Sequence, residues 1–201
     1  MLQRKDGTIR EIHHQVKNNL QTVASLLRLQ ARRSPDGRQA LEESERRIRA
    51  IALVHETLSL ERGDVVDFDQ VAAEIAAMVA EGLAGPGVEI TVEGTGGPVM
   101  AEVATPLAVV PSELMQNSVD HAFDDRGGRI AVRLVRDDAR LRVEVEDNGR
   151  GLPPGFTLEA STGLGLHIVR TLVVSELGGE LVVGGRDVTR FSVSVPVRDA
   201  G

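Results

Sequence analysis

The sequence predicts an α+β protein: a helical hairpin at the N-terminus followed by an α/β sandwich with a mixed sheet. Three observations carry that prediction. Apolar residues recur at helical spacing through the first sixty residues. From Val65 onward short alternating runs take over, interspersed with helical patterns. The two regimes meet near Arg62-Gly63-Asp64, which divides the chain into 1–62 and 63–201.

The first helix is expected from about Gly7 to Arg33, ending at the breaker cluster Ser34-Pro35-Asp36-Gly37. At about 100° per residue, Ile9, Ile12, Val16, Leu20, Val23 and Leu27 fall on one face. His13 lies at the edge of that face, about 40° from its centre, whereas His14 lies about 140° away on the solvent side. Exposed neutral imidazole is a competent nucleophile near pH 7, so His14 is a candidate catalytic residue. Glu11 precedes it by three residues and Asn18 follows by four, so both neighbour it on the helix surface. Glu11 could accept from Nδ1–H and leave Nε2 free to attack, and Asn18 could orient an incoming phosphate.

The second helix is expected from Arg38 to Leu60, with Leu41, Ile48, Ile51, Ala52, His55 and Leu58 as its stripe. One hairpin cannot bury two such stripes by itself. The simplest closed solution is a symmetric homodimer forming a four-helix bundle; the alternative is packing against the remainder of the same chain.

Next come a short strand at Val65–Phe68 and a helix capped by Asp69 that runs to about Leu83. Strands follow at Val88–Val92 and Pro98–Ala101. A long helix from Val103 to Phe123 should bend at Pro111. Ile130–Val135 and Leu141–Glu146 alternate around the turn at Asp137-Asp138. A Gly-rich stretch, 149–165, then leads into a helix ending near Leu177, and Glu180–Val183 with Phe191–Val197 make a final hairpin.

Composition excludes several classes. Net charge is −7 and aromatics are 2%, without Trp or Tyr, which argues against nucleic-acid binding. There is no cysteine, so thiolate chemistry is excluded and a cytoplasmic address is expected. No apolar run reaches the roughly 20 residues that span a bilayer, and no membrane segment is expected. Hydrophobic and charged contents of 41% and 26% are those of an ordinary soluble globular protein.

Three motifs in the second region carry chemistry. Glu113, Asn117 and His121 repeat every four residues and share one helical stripe, suited to Mg²⁺ and phosphate oxygens. Asp147-Asn148-Gly149-Arg150-Gly151 follows a strand directly, where glycines let the backbone approach a flat ligand and a carboxylate can accept from an exocyclic amine. Gly163-Leu164-Gly165-Leu166 opens a helix and exposes backbone N–H groups to phosphates.

In this order the motifs resemble the N, G1 and G2 boxes of the Bergerat-fold ATPases, the superfamily of histidine kinases, gyrase, Hsp90 and MutL. The stretch from Ile12 to Leu20 resembles the phosphoacceptor box of the histidine kinase subfamily related to the HWE kinases. The resemblance implies a two-component transmitter that autophosphorylates His14 from ATP and Mg²⁺, then hands the phosphoryl group to an aspartate of a separate response-regulator receiver. It implies a homodimer, Asn117 on the metal, and Asp147 on the adenine amino group. Gly149, Gly151, Gly163 and Gly165 would shape the pocket and lid hinge.

Four departures stand out. Gln15 replaces the arginine after the acceptor, Asp120 stands where many relatives have lysine, Pro111 interrupts the N-box helix, and the lid segment 152–162 is short. Two rival classes are ATP hydrolysis for conformational work, with Glu113 activating water, and a dimeric scaffold without catalysis.

Overall fold

The structure, a computed structural model, describes residues 37–61, 65–82, 87–123, 127–137, 139–161, 163–185 and 188–197. The first expected helix lies outside these residues, and with it His14, Glu11 and Asn18. So does the expected division at residues 62–64. In chain order the elements are α1 (Gly37–Glu61), β1 (Val65–Asp67), α2 (Phe68–Gly82), β2 (Val88–Thr95), β3 (Pro98–Met100), α3 (Ala101–His121), β4 (Gly128–Arg136) and β5 (Arg140–Asp147). They are followed by α4 (Leu164–Arg170, continuing as π-helix over Thr171–Glu176), β6 (Glu180–Gly184) and β7 (Thr189–Pro196).

The main sheet has five strands in the order β2-β4-β5-β7-β6. Only β2 and β4 run parallel, since a helix and a strand separate them in sequence, whereas the other neighbours are joined as antiparallel pairs. The sheet is therefore mixed, as expected. Its inward residues, among them Val132, Leu134, Val143, Val145 and Val193, form one core with Val71 and Ile75 of α2, Leu107 and Leu114 of α3, and Ile168 and Leu172 of α4. The opposite face is solvated and laced with charge: Arg133 reaches Glu144 at 3.7 Å and Glu93 at 3.6 Å, and Arg190 pairs with Glu146 across β7 and β5. One face buried and one wet explains the alternation visible in the sequence. A separate two-stranded ribbon pairs β1 with β3, Val66 opposite Val99.

Several local expectations change. Asp69 does not cap α2. Its backbone N–H is instead capped by Asp67 Oδ1 at 3.0 Å, so the strand ends one residue earlier. The Asp69 carboxylate turns away to accept from the N–H groups of Gly96 and Gly97, fixing the turn before β3. Helix α3 runs continuously through Pro111 and also through Pro106, although each proline removes one helical hydrogen bond. The π-helical turn at the end of α4 begins at Thr171, whose hydroxyl donates to His167 O at 2.9 Å and competes for that carbonyl.

The stripe expected on α1 also divides. Ile51 is buried, but Leu41 and Ile48 are 70% and 44% exposed, and Ala52 is exposed. The buried face is instead Ser44, Arg47, Ala50, Ile51 and Val54, packed against α3. Arg47 enters this face because α3 presents a carboxylate there, as described next. Among the described residues, no helix is long and apolar enough to cross a membrane.

Candidate functional site

The C-terminal half of α3, the end of β5 and the start of α4 converge on one cavity of about 750 Å³. Asp147 sits at its floor, placed there by β5 and only 3% exposed. Its Oδ2 accepts from Ser118 Oγ at 2.9 Å and its Oδ1 from the Gly149 N–H at 3.1 Å. Thr189, opposite Asp147 in the β5–β7 register, lines the cavity beside it. Burial pushes the Asp147 carboxyl above its ordinary value, and the neighbouring Ser118, Gly149 and Thr189 pull it part of the way back. The result is a desolvated acceptor, partly satisfied by protein donors and with capacity left on the cavity side.

Asn117, one residue before Ser118 on α3, also lines the cavity. Its Nδ2 is buried and has no hydrogen-bond partner. A buried amide nitrogen left unpaired costs free energy until a ligand satisfies it. The carboxamide can donate to a phosphate oxygen through Nδ2 and offer Oδ1 to a hard cation, so the donor set fits a nucleotide carrying Mg²⁺. Among the described residues no cluster of three or more His, Cys, Asp or Glu could hold a metal ion.

His121, Gly151, Gly163 and Leu166 line the same cavity, so six of the sequence candidates meet there. Gly151 takes φ 73°, a backbone angle that favours glycine. Gly163 precedes α4 in extended conformation and offers no side-chain cap, leaving the first-turn N–H groups without intrahelical partners. Leu164 opens α4 and packs on the core. Two glycines act on protein and not on the cavity. A Cβ on Gly149 would stand 2.3 Å from Ala122 O, so this glycine lets the loop close onto the end of α3. A Cβ on Gly165 would stand 2.8 Å from Glu113 Oε2, so Gly165 makes room for that carboxylate.

Glu113 is 6% exposed and does not line the cavity. Arg47 of α1 grips it with a two-pronged pair, Nε to Oε1 at 2.8 Å and NH2 to Oε2 at 2.9 Å. Asp120 is turned outward and accepts from Gln116 Nε2 at 2.6 Å, away from the cavity.

Sequence reasoning missed several lining residues. Ser118 was adjacent to a motif residue and acceptor-seeking by type; Thr189 had no local signal, because only the strand register brings it to Asp147. Arg150 and Phe156 line the cavity as well. The Arg150 guanidinium Nε donates to His121 O, satisfying a carbonyl at the end of α3. The lid segment contains no helix or strand over the described residues 152–161 and turns on Phe156 N–H to Pro153 O at 3.1 Å.

Comparison with known proteins agrees with this geometry. A family model described as histidine kinase matches residues 11–82, and one described as histidine kinase-, DNA gyrase B-, and HSP90-like ATPase matches residues 102–199. The sensor histidine kinase PdtaS of Mycolicibacterium smegmatis is 48% identical over 200 residues, 96% of this chain and 40% of that protein. The blue-light-activated histidine kinase 2 of Erythrobacter litoralis is 28% identical, over 96% of this chain and 58% of that protein. The chain thus spans less than two thirds of the length of these curated relatives. The solved Erythrobacter litoralis blue-light activated histidine kinase superposes with a TM-score of 0.72 at 27% identity, covering 94% of this chain and 62% of that one. Its isolated histidine kinase domain gives a TM-score of 0.71 at 24% identity, covering 89% and 96%. With a histidine kinase domain over its helical N-terminal part and an ATPase domain over its mixed sheet, the chain belongs to the histidine kinase family.

Proposed function

We propose that this chain autophosphorylates His14 from ATP with Mg²⁺ and passes the phosphoryl group to an aspartate of a separate response-regulator receiver, acting as a cytoplasmic homodimer. One observation carries the nucleotide half of the reading: Asp147 and Asn117 share one cavity, each with hydrogen-bonding capacity that no protein group fills. Asp147 accepts from the adenine amino group, as its buried and already donor-crowded carboxylate suits. Asn117 faces the phosphates, and the uncapped first turn of α4 behind Gly163 offers them N–H groups. Mg²⁺ bound with the nucleotide would neutralise phosphate charge.

At the acceptor, the Nε2 lone pair of neutral His14 attacks the γ-phosphorus; the N–P bond forms as the bond to the ADP oxygen breaks. Glu11 accepts from Nδ1–H and holds the reactive tautomer, and Asn18 orients the phosphoryl oxygens. Transfer of this kind proceeds through a loose transition state, so positioning and charge neutralisation supply most of the rate. The hydrolytic alternative loses support because Glu113 is gripped by Arg47 and stands off the cavity, not free to activate water.

Incubation with γ-labelled ATP and Mg²⁺ tests the reading. The expected product is a label that survives base and is lost in acid, and that disappears in His14→Gln. Label retained by His14→Gln, or released only as free phosphate, refutes it.

A further inference from the structure

Arg47 is the buried cation on the described face of α1, 2% exposed, and its guanidinium reaches 66 residues along the chain to Glu113. Burying two charges is expensive, and a buried ion pair is commonly no more stabilising than apolar residues of the same volume. Adhesion does not require it here. Ala50, Ile51 and Val54, one turn and two turns further along α1, are all buried at the same contact. What the pair adds is geometry. A planar guanidinium bound through two parallel N–H···O contacts fixes both carboxylate oxygens and permits little sliding or rotation of one helix on the other.

The position of the held carboxylate gives this geometry a purpose. Glu113 Oε2 lies where a Cβ on Gly165 would come within 2.8 Å, and Asn117 Oδ1 lies 3.6 Å from the same point. The Arg47–Glu113 pair therefore sits directly under the start of α4 and one helical turn before Asn117, beside the phosphate end of the cavity. Glu43, four residues before Arg47, adds a weaker contact at 3.4 Å and keeps the guanidinium in line.

We infer that Arg47 is a positioning residue for phosphoryl transfer: through its two-pronged pair with Glu113 it seats the second helix of the hairpin against the phosphate end of the nucleotide site. This rests on the proposed roles of His14 and of the cavity. Among the described residues Arg47 stands off the cavity, and on this reading it acts through Glu113 on the spacing of nucleotide and acceptor. It sets the distance between them, and a misplacement of about 1 Å can slow such a reaction about 100-fold.

The test uses the full 201-residue chain and four measurements: unfolding midpoint, nucleotide affinity, labelling rate of His14 at saturating ATP, and coupling between sites. Arg47→Met, matched in length and uncharged, is expected to bind ATP within about twofold of the parent and to label His14 at least about tenfold more slowly. Arg47→Lys keeps the charge without the fork and should fall between the two, which serves should the Met variant unfold. Arg47→Met combined with Glu113→Gln should be no slower than Arg47→Met alone, because both substitutions break one contact. A folded Arg47→Met labelling at the parent rate overturns the inference. So does a tenfold loss of ATP affinity with an unchanged saturated rate, or a double variant whose losses multiply. A parent chain that takes no label on His14 sinks the functional reading itself, whereas a labelled parent with an indifferent Arg47 sinks only this one.

Discussion

Asp147→Asn separates nucleotide recognition from folding. A carboxylate offers two oxygens and about four acceptor directions. Ser118 and Gly149 occupy two of them, which leaves capacity for the adenine amine. Asparagine keeps the shape but turns one oxygen into a donor, so either a protein donor or the incoming amine meets an N–H. The expected loss is that of a hydrogen bond to a charged group, about 1.5–3 kcal/mol, or about 10- to 150-fold in Kd. The nucleotide-free fold should lose less than about 1 kcal/mol, because the substitution removes a buried charge as well as an acceptor.

The pH dependence carries a sign. Burial holds the Asp147 carboxyl above its ordinary value of 3.8, so the folded chain takes up this proton at higher pH than the unfolded chain does. The ionised carboxylate is thus a cost to folding at neutral pH, relieved as pH falls through the raised value. ATP binding moves the other way, since a protonated oxygen donates and no longer accepts. Calorimetric titration with a non-hydrolysable ATP analogue from about pH 8 down to about pH 4.5 should show parent affinity falling toward that of Asp147→Asn. Other groups titrate in both chains, so the difference between the two profiles belongs to Asp147. Equal affinities at pH 7, or parallel profiles, would refute the reasoning.

Three further outcomes are expected. His14→Gln should abolish acid-labile labelling with ATP affinity and dimerisation unchanged, whereas His13→Gln should keep some label and lower the unfolding midpoint, because it puts a poorly matched polar group at the edge of an apolar face. Glu11→Gln should slow autophosphorylation at least tenfold, and up to about 10⁴-fold, at unchanged ATP affinity; a rate within about twofold across pH 6 to 9 would move the role to another acid. Gly165→Ala should cost about 1–3 kcal/mol by denaturant titration and impair labelling, because its Cβ meets Glu113 Oε2 at 2.8 Å and that carboxylate, held at both oxygens by Arg47, has nowhere to move.

Local chemistry made much of this protein readable from its residues alone. Alternation in Ile130–Val135 and Leu141–Glu146 marks a sheet with one buried face, and the four-residue repeat of Glu113, Asn117 and His121 marks one helical stripe. The order of the three boxes pointed to the family that the comparisons show. Pairing across distance was not readable. Thr189 reaches Asp147 only through the β5–β7 register, and Gly149 and Gly165 serve packing against Ala122 and Glu113, contacts that no spacing rule encodes. The face of α1 turned to α3 was not readable for the same reason. Helical periodicity ranks faces by apolarity, but α3 presents a buried carboxylate, and a charge taken out of water must find its opposite. Arg47 is therefore buried where Leu41 and Ile48 are exposed, a choice made by the partner helix and invisible from α1 itself.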